Sequence, residues 1–243
     1  MLKDSDIREP LFDHLDEIYA KNRILEELNI GRSRADIVMV TEDAIYGIEI
    51  KSDADTYARL AGQVKDYDKY FDHNYVVVGS THALHVREHV PEYWGVISVE
   101  LIDDEFDIYE LRKPGLNPKV TWKNKLELLW RPELAAIQQL NNMPKYKDKS
   151  RAFVAGKIIE FMEKGKIEED VLKRQFCDCL FERDYTTIAD ELTEYRKSEL
   201  AKQLETETDP AKWVELAARR DELREQFKKN TGRKGRRRRR RRI

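Results

Sequence analysis

The sequence predicts an α/β fold: a mixed central sheet flanked by helices, then an all-helical region and a basic tail. Three observations carry this expectation. Between Arg34 and Lys51 (R-A-D-I-V-M-V-T-E-D-A-I-Y-G-I-E-I-K) apolar and β-branched residues alternate on both sides of a polar break. That is the mark of two short strands joined by a turn. A helical pattern then leads to a compact β-branched run at 75–79, Y-V-V-V-G, so the connection reads as a crossover to a buried strand. From Trp122 onward the apolar spacing is helical throughout.

Taken in order, a first helix begins near Ser5, with Ile7, Leu11, Leu15 and Ile18 on one face. A second helical stretch, Ile24 to Leu28, stops before Gly31. In the hairpin, Thr41, Glu42, Asp43 and Ala44 form the turn. After it, Asp53 or Asp55 is placed to cap a helix carrying Tyr57, Leu60, Val64, Tyr67 and Phe71, with Gln63, Tyr67 and Tyr70 as an adjacent stripe. His82, His85 and His89 fall on one face of a further helix. Without a carboxylate or cysteine partner they read as surface histidines rather than a zinc site. E-Y-W-G-V-I-S-V-E-L and F-D-I-Y-E-L-R alternate as strands.

Pro114, Gly115 and Pro118 then mark a boundary, dividing the chain into a core over 1–117, a helical region over 118–230 and a tail over 231–243. Within the helical region Leu126, Leu129, Leu134 and Ile137 are helix positions, and Pro132 suits a first turn. Further helices are expected at 149–164, 168–182, 185–204 and 211–229. Cys177 and Cys179 do not share a helix face and read as packing residues.

No segment is long and apolar enough to span a bilayer, and the N-terminus lacks the apolar run of a signal peptide. Two cysteines make no disulfide framework, so a reducing, cytoplasmic setting is expected. The net charge of −2 hides an asymmetry. Residues 231–243 hold nine Arg or Lys and no acid, and the rest of the chain carries a net of −11. Such a tail is expected to be disordered and to bind nucleic acid electrostatically, without reading its sequence. Folding back on the acidic body is the plainer alternative.

The hairpin is where chemistry enters. An even-length loop pairs the strands so that Asp36 faces Glu49, with Lys51 on the same face and Arg34 opposite it. Two carboxylates so placed repel by about 4 kcal/mol at an effective dielectric near 20. A divalent cation converts that repulsion into attraction, and carboxylates with open water positions suit Mg²⁺. Lys51 beside it would orient a water or neutralise charge building on a phosphate. The plain reading of the same residues is an exposed hairpin with a polar face. Glu26 and Glu27, just upstream, are candidates for a third carboxylate, Glu27 first. Gln63 and Tyr67 are candidates to contact the site, and Arg59 a phosphate.

R-A-D at 34–36, E-I-K-S at 49–52 and Q-V-K-D-Y at 63–67 together resemble the PD-(D/E)XK nuclease superfamily, of restriction-endonuclease-like fold. The run E-I-K-S-D-A-D-T-Y-A-R-L, with E-Y-W-G and L-L-W-R-P-E-L, is similar to a bacterial and phage family of unassigned function within it. The resemblance implies Asp36, Glu49 and the Ile50 carbonyl as ligands of Mg²⁺ or Mn²⁺, and Lys51 as the catalytic lysine. It also implies Glu27 as the acid of the leading helix, and Gln63 and Tyr67 as the supporting pair. Ala35 replaces the motif's proline, which is not a ligand.

The expected function is therefore a metal-dependent nuclease acting on DNA. The alternative is a non-catalytic nucleic-acid-binding protein that relies on the tail. An adaptor built on the charged helices at 185–229 is a third reading.

Overall fold

A computed structural model of the chain describes residues 2–53 and 55–183. The helices expected at 185–204 and 211–229, and the tail, lie outside the described residues. Residues 1–183 form one compact unit. Its centre is a six-stranded sheet in sequential order: β1 (Arg23–Ile30), β2 (Ser33–Val40), β3 (Ile45–Lys51), β4 (His73–Gly79), β5 (Gly95–Ile102) and β6 (Glu105–Arg112). The outer pairings β1–β2, β2–β3 and β5–β6 are antiparallel, while β3–β4 and β4–β5 are parallel. The sheet is mixed, as the alternating pattern and the crossover lengths require.

Period-two alternation gives the sheet two apolar faces, and each is covered. On one face α1 (Asp4–Ile18) buries Ile7, Leu11 and Leu15 against Ile37, Met39, Ile48, Ile50, Tyr75 and Val77. Ile18, expected on that stripe, is 47% exposed, because the helix ends there as the chain turns toward β1. The other face carries α2 (Leu60–Tyr70), which forms the β3–β4 crossover. Beyond β6 come α3 (Trp122–Lys125), α4 (Arg131–Leu140), α5 (Arg151–Glu163) and α6 (Glu169–Phe181). One apolar cluster runs from Val38, Val76 and Trp94 through Tyr67 to Leu134, Ile158 and Phe176. Pro132 sits in the first turn of α4, where its missing N–H costs nothing. Cys177 lies inside the cluster and Cys179 against it. Burial pushes the two thiols up to about 12 and about 11, which suits packing rather than ligation.

Three local expectations are corrected. Residues 24–28 are not helical but lie in β1. The spacing of Ile24, Leu25 and Leu28 fits either periodicity, and Gly31 proves to be the first residue of a two-residue hairpin turn, at φ +56°. Neither Asp53 nor Asp55 caps a helix. Asp55 instead accepts from the Ser52 N–H and hydroxyl (2.9 and 2.8 Å), and Asp53 from the Leu2 N–H and Thr81 Oγ1 (3.1 and 2.7 Å). The histidine segment is a run of turns with one 3-10 turn, Val86–Glu88. Leu84 there is 82% exposed, so Val86 and Val90 are the fully buried anchors, with the small Ala83 beside them, too little for an amphipathic helix before Pro91. His89 stacks on Tyr57 at 4.1 Å, and His82 meets the same ring edge-on.

Gly47 in β3 has a structural duty. A Cβ there would stand 2.1 Å from a ring carbon of Phe71 and 2.7 Å from one of Tyr67. Glycine lets both rings close on the strand. Gly47→Ala is expected to destabilise the protein by about 3 kcal/mol, as other overpacked cores do, read from the midpoint of denaturant unfolding. An unchanged midpoint would mean that the rings move aside freely.

Candidate active site between the hairpin and the crossover helix

The β2–β3 register is Ile37–Ile48, Val38–Gly47, Met39–Tyr46 and Val40–Ile45, the pairing that the even-length loop predicts. The ladder stops at Ile37, one step before Asp36. Arg34 is not brought opposite Lys51: it pairs with Asn29 of β1, while Lys51 pairs with Val78 of β4.

Asp36 departs from the sheet in a specific way. Its N–H donates to Tyr67 Oη (3.2 Å), its carbonyl accepts from Arg8 Nη1 (3.4 Å), and its Oδ2 accepts from the Ile50 N–H (2.9 Å). At the same level of β1, Glu27 adopts φ +57° and falls in the gap between the Glu26–Ile37 and Leu28–Ala35 pairs. Strict alternation breaks there on both strands, since Ala35 packs in the same cluster as Val38, and Leu28 with Leu25. This shared irregularity releases Asp36 from the ladder and turns its carboxylate toward the end of β3, the kind of local departure that recurs beside active sites.

Glu49 is 1% exposed and fully engaged. Its Oε1 accepts from Lys51 Nζ (2.5 Å) and from Gln63 Nε2, and its Oε2 accepts from Tyr67 Oη (2.7 Å). Tyr67 therefore ties the two acids together, accepting from the Asp36 backbone and donating to Glu49. Burial, with Glu49 and Asp36 nearby, holds its phenol well above the ordinary range. Burial first, and the Glu49 charge second, push Asp36 up to about 7.

Asp36, Glu49, Ile50, Lys51 and Gln63 line one cleft of about 690 Å³, and Tyr67 braces it from α2. Arg59 also lines it. Glu27 does not. It sits on a strand rather than on the leading helix, with its carboxylate held by Arg8 Nη2 (2.8 Å) and Arg34 Nε (2.5 Å).

The leading helix contributes a different acid. Asp4 lines the cleft, with Oδ2 on Arg8 Nε (2.9 Å) and Oδ1 buried without a partner. The sequence gives little warning of Asp4, because an acid in a first helical turn is expected there for the helix dipole alone. The sequence gives as little warning of Arg8. It joins Asp4, Glu26 (2.7 Å), Glu27 and the Asp36 carbonyl, and its i+4 spacing from Asp4 is the one local hint.

The donor set fits a hard cation. Two carboxylates, the Ile50 carbonyl, the unpartnered Asp4 Oδ1 and the buried, unpartnered Gln63 Oε1 are all oxygens. Among the described residues no three His, Cys, Asp or Glu side chains are placed to enclose a metal by themselves. Mg²⁺ is commonly held by one or two carboxylates, with water and phosphate completing its shell. Among the described residues no helix is long and apolar enough to cross a membrane.

No curated protein matches the chain. Among solved structures it is similar to Pyrococcus furiosus SfsA, determined in complex with Ca²⁺, at 14% identity and a TM-score of 0.30. That match covers 49% of this chain and 65% of the other, just under two thirds of its length. The profile of bacteriophage P4 protein cII matches residues 1–176, and the chain belongs to that family.

Proposed function

We propose that the cleft hydrolyses phosphodiester bonds in DNA with Mg²⁺ or Mn²⁺, as the active site of a PD-(D/E)XK-type nuclease. The observation that supports it best is the meeting of Asp36 and Glu49. Adjacent strands carry two acids to one spot, where Asp36 is pushed up to about 7 by burial and by its neighbour. Such an arrangement is costly unless a cation or proton shares it.

In this reading Asp36, Glu49 and the Ile50 carbonyl would hold the metal. A divalent cation bound there would supply hydroxide near neutral pH and polarise the phosphate. Lys51, a buried ammonium anchored on Glu49, offsets the negative charge that grows on the phosphate oxygens. Gln63 and Tyr67 fix the orientation of Glu49, so the acid meets its ligand preorganised. Glu27 acts at one remove, with Arg8 and Arg34, in holding the strand that bears Asp36.

The test is metal-dependent cleavage of linear, circular and single-stranded DNA by the full chain, beside Glu49 and Lys51 variants. Cleavage by the wild type that those variants lose is the expected result. If the wild type never cleaves under any metal, while truncation at Thr231 abolishes DNA binding, the non-catalytic binding protein takes its place.

A further inference from the structure

Three arginines stand around the mouth of the cleft and are not used by the chemistry above. Arg32 and Arg34 lie on or beside the β1–β2 turn, and Arg59 in the 3-10 turn that leads α2. All three are exposed. Arg34 pairs with Glu27, whereas the guanidinium groups of Arg32 and Arg59 have no partner among the described residues. The turn is not loose. Asp66 of α2 accepts from Ser33 Oγ (2.7 Å) and from the Arg32 N–H, which pins the turn to the helix. In the same lining α2 presents Gly62, and a Cβ built there has nothing within 4 Å. Packing therefore does not require glycine at 62, although glycine weakens a helix. What glycine leaves is open space on the cleft side, level with Gln63.

We propose that this floor carries an unpaired strand of nucleic acid, with Arg32 of the β1–β2 turn and Arg59 of the turn that leads α2 contacting its phosphates. The inference rests on the hydrolase reading of the cleft and adds its substrate class. A volume of about 690 Å³ lies in the range that holds one drug-sized ligand. That suits a short stretch of one strand, whereas a duplex would have to leave its second strand outside the cleft. Exposed guanidinium groups on two separate elements of the cleft lining suit phosphates, which Arg binds through paired N–H donors.

The experiment compares the full chain with Arg32→Ala, Arg59→Ala and Gly62→Gln. It measures binding of a fluorescent oligothymidylate against salt with metal withheld, and KM and kcat for its cleavage with Mg²⁺. The polybasic tail contributes equally to every variant, so differences report the cleft. Each arginine variant should raise KM about tenfold with kcat little changed, and should make the slope of log affinity against log salt shallower by about 0.7, one single-strand phosphate contact. Gly62→Gln should raise KM while its Tm equals or exceeds that of the wild type. Unchanged slopes and KM values, or a duplex competing as well as the single strand, would overturn the proposal. If the wild type cleaves nothing, the hydrolase reading fails, and the salt slopes still decide whether a strand occupies the floor.

Discussion

Glu49→Gln should lower metal-dependent cleavage about a thousandfold while the protein stays folded, melting lower than wild type but above Glu49→Ala. The amide retains an acceptor for Lys51 or Gln63 and removes the charge that would hold the cation. Glu49→Ala is the poorer experiment, for a reason only the structure supplies. Glu49 is the ion-pair partner of Lys51, which is 5% exposed, so truncation strands a buried ammonium. Breaking a buried pair from one side costs about 3–5 kcal/mol. A domain with a margin of about 5–15 kcal/mol can lose its activity that way by unfolding. Lys51→Ala is milder, because Glu49 keeps its bonds from Gln63 and Tyr67. Cleavage assays and thermal melts on the same preparations separate these outcomes. A natively folded Glu49→Gln that cleaves at more than a tenth of the wild-type rate would remove Glu49 from the chemistry.

The half of the site built by local order was legible in the residues. Alternation and loop length determine the β2–β3 register, and that register places Glu49 and Lys51 on the side of the sheet opposite Ile48 and Ile50. Helical spacing put Gln63 and Tyr67 on one face of α2, from which both reach Glu49. What escaped depends on long-range contact. β1 looked helical because a short apolar run has no unambiguous period, and only its pairing with β2 decides the matter. Glu27 reads as part of a leading helix for that reason, and nothing local ties Asp4 to Asp36, thirty-two residues further on. The break in alternation at Glu27 and Asp36 takes its meaning only from the two strands together, since the spacing of Leu25 and Leu28 alone reads equally as a helical turn. Gly47 likewise looks like a weak point in a strand until the rings of Tyr67 and Phe71 are found against it.

Asp36→Asn should make the metal-free protein more stable at pH 8 and leave it inactive. The sign follows from the direction of the shift. Asp36 is raised from an ordinary carboxylate value to about 7, by burial first and by Glu49 second. Between about pH 4 and pH 7 the folded state binds more protons than the unfolded state, so stability falls as pH rises through that window. The penalty is fully present above pH 7 and absent below about pH 4. A shift of this size corresponds to at most about 4 kcal/mol, and about 2 kcal/mol is a reasonable expectation at a partly solvated site. Asparagine resembles the protonated acid and still accepts from the Ile50 N–H, so it removes the penalty without removing the bond. The gain over wild type should therefore shrink to nothing as the pH is lowered to about 4. Mg²⁺ should narrow the gap from the other side. A ligand at a hundred times its Kd stabilises the form it binds by about 2.7 kcal/mol, and Asp36→Asn has lost one of the two charges that would bind it. Thermal melts at pH 4 and pH 8, with and without Mg²⁺, give all four corners. A variant that melts below wild type at pH 8 would show that Asp36 is not strained by burial and Glu49, and one that gains as much from Mg²⁺ as wild type does would remove Asp36 from the cation site.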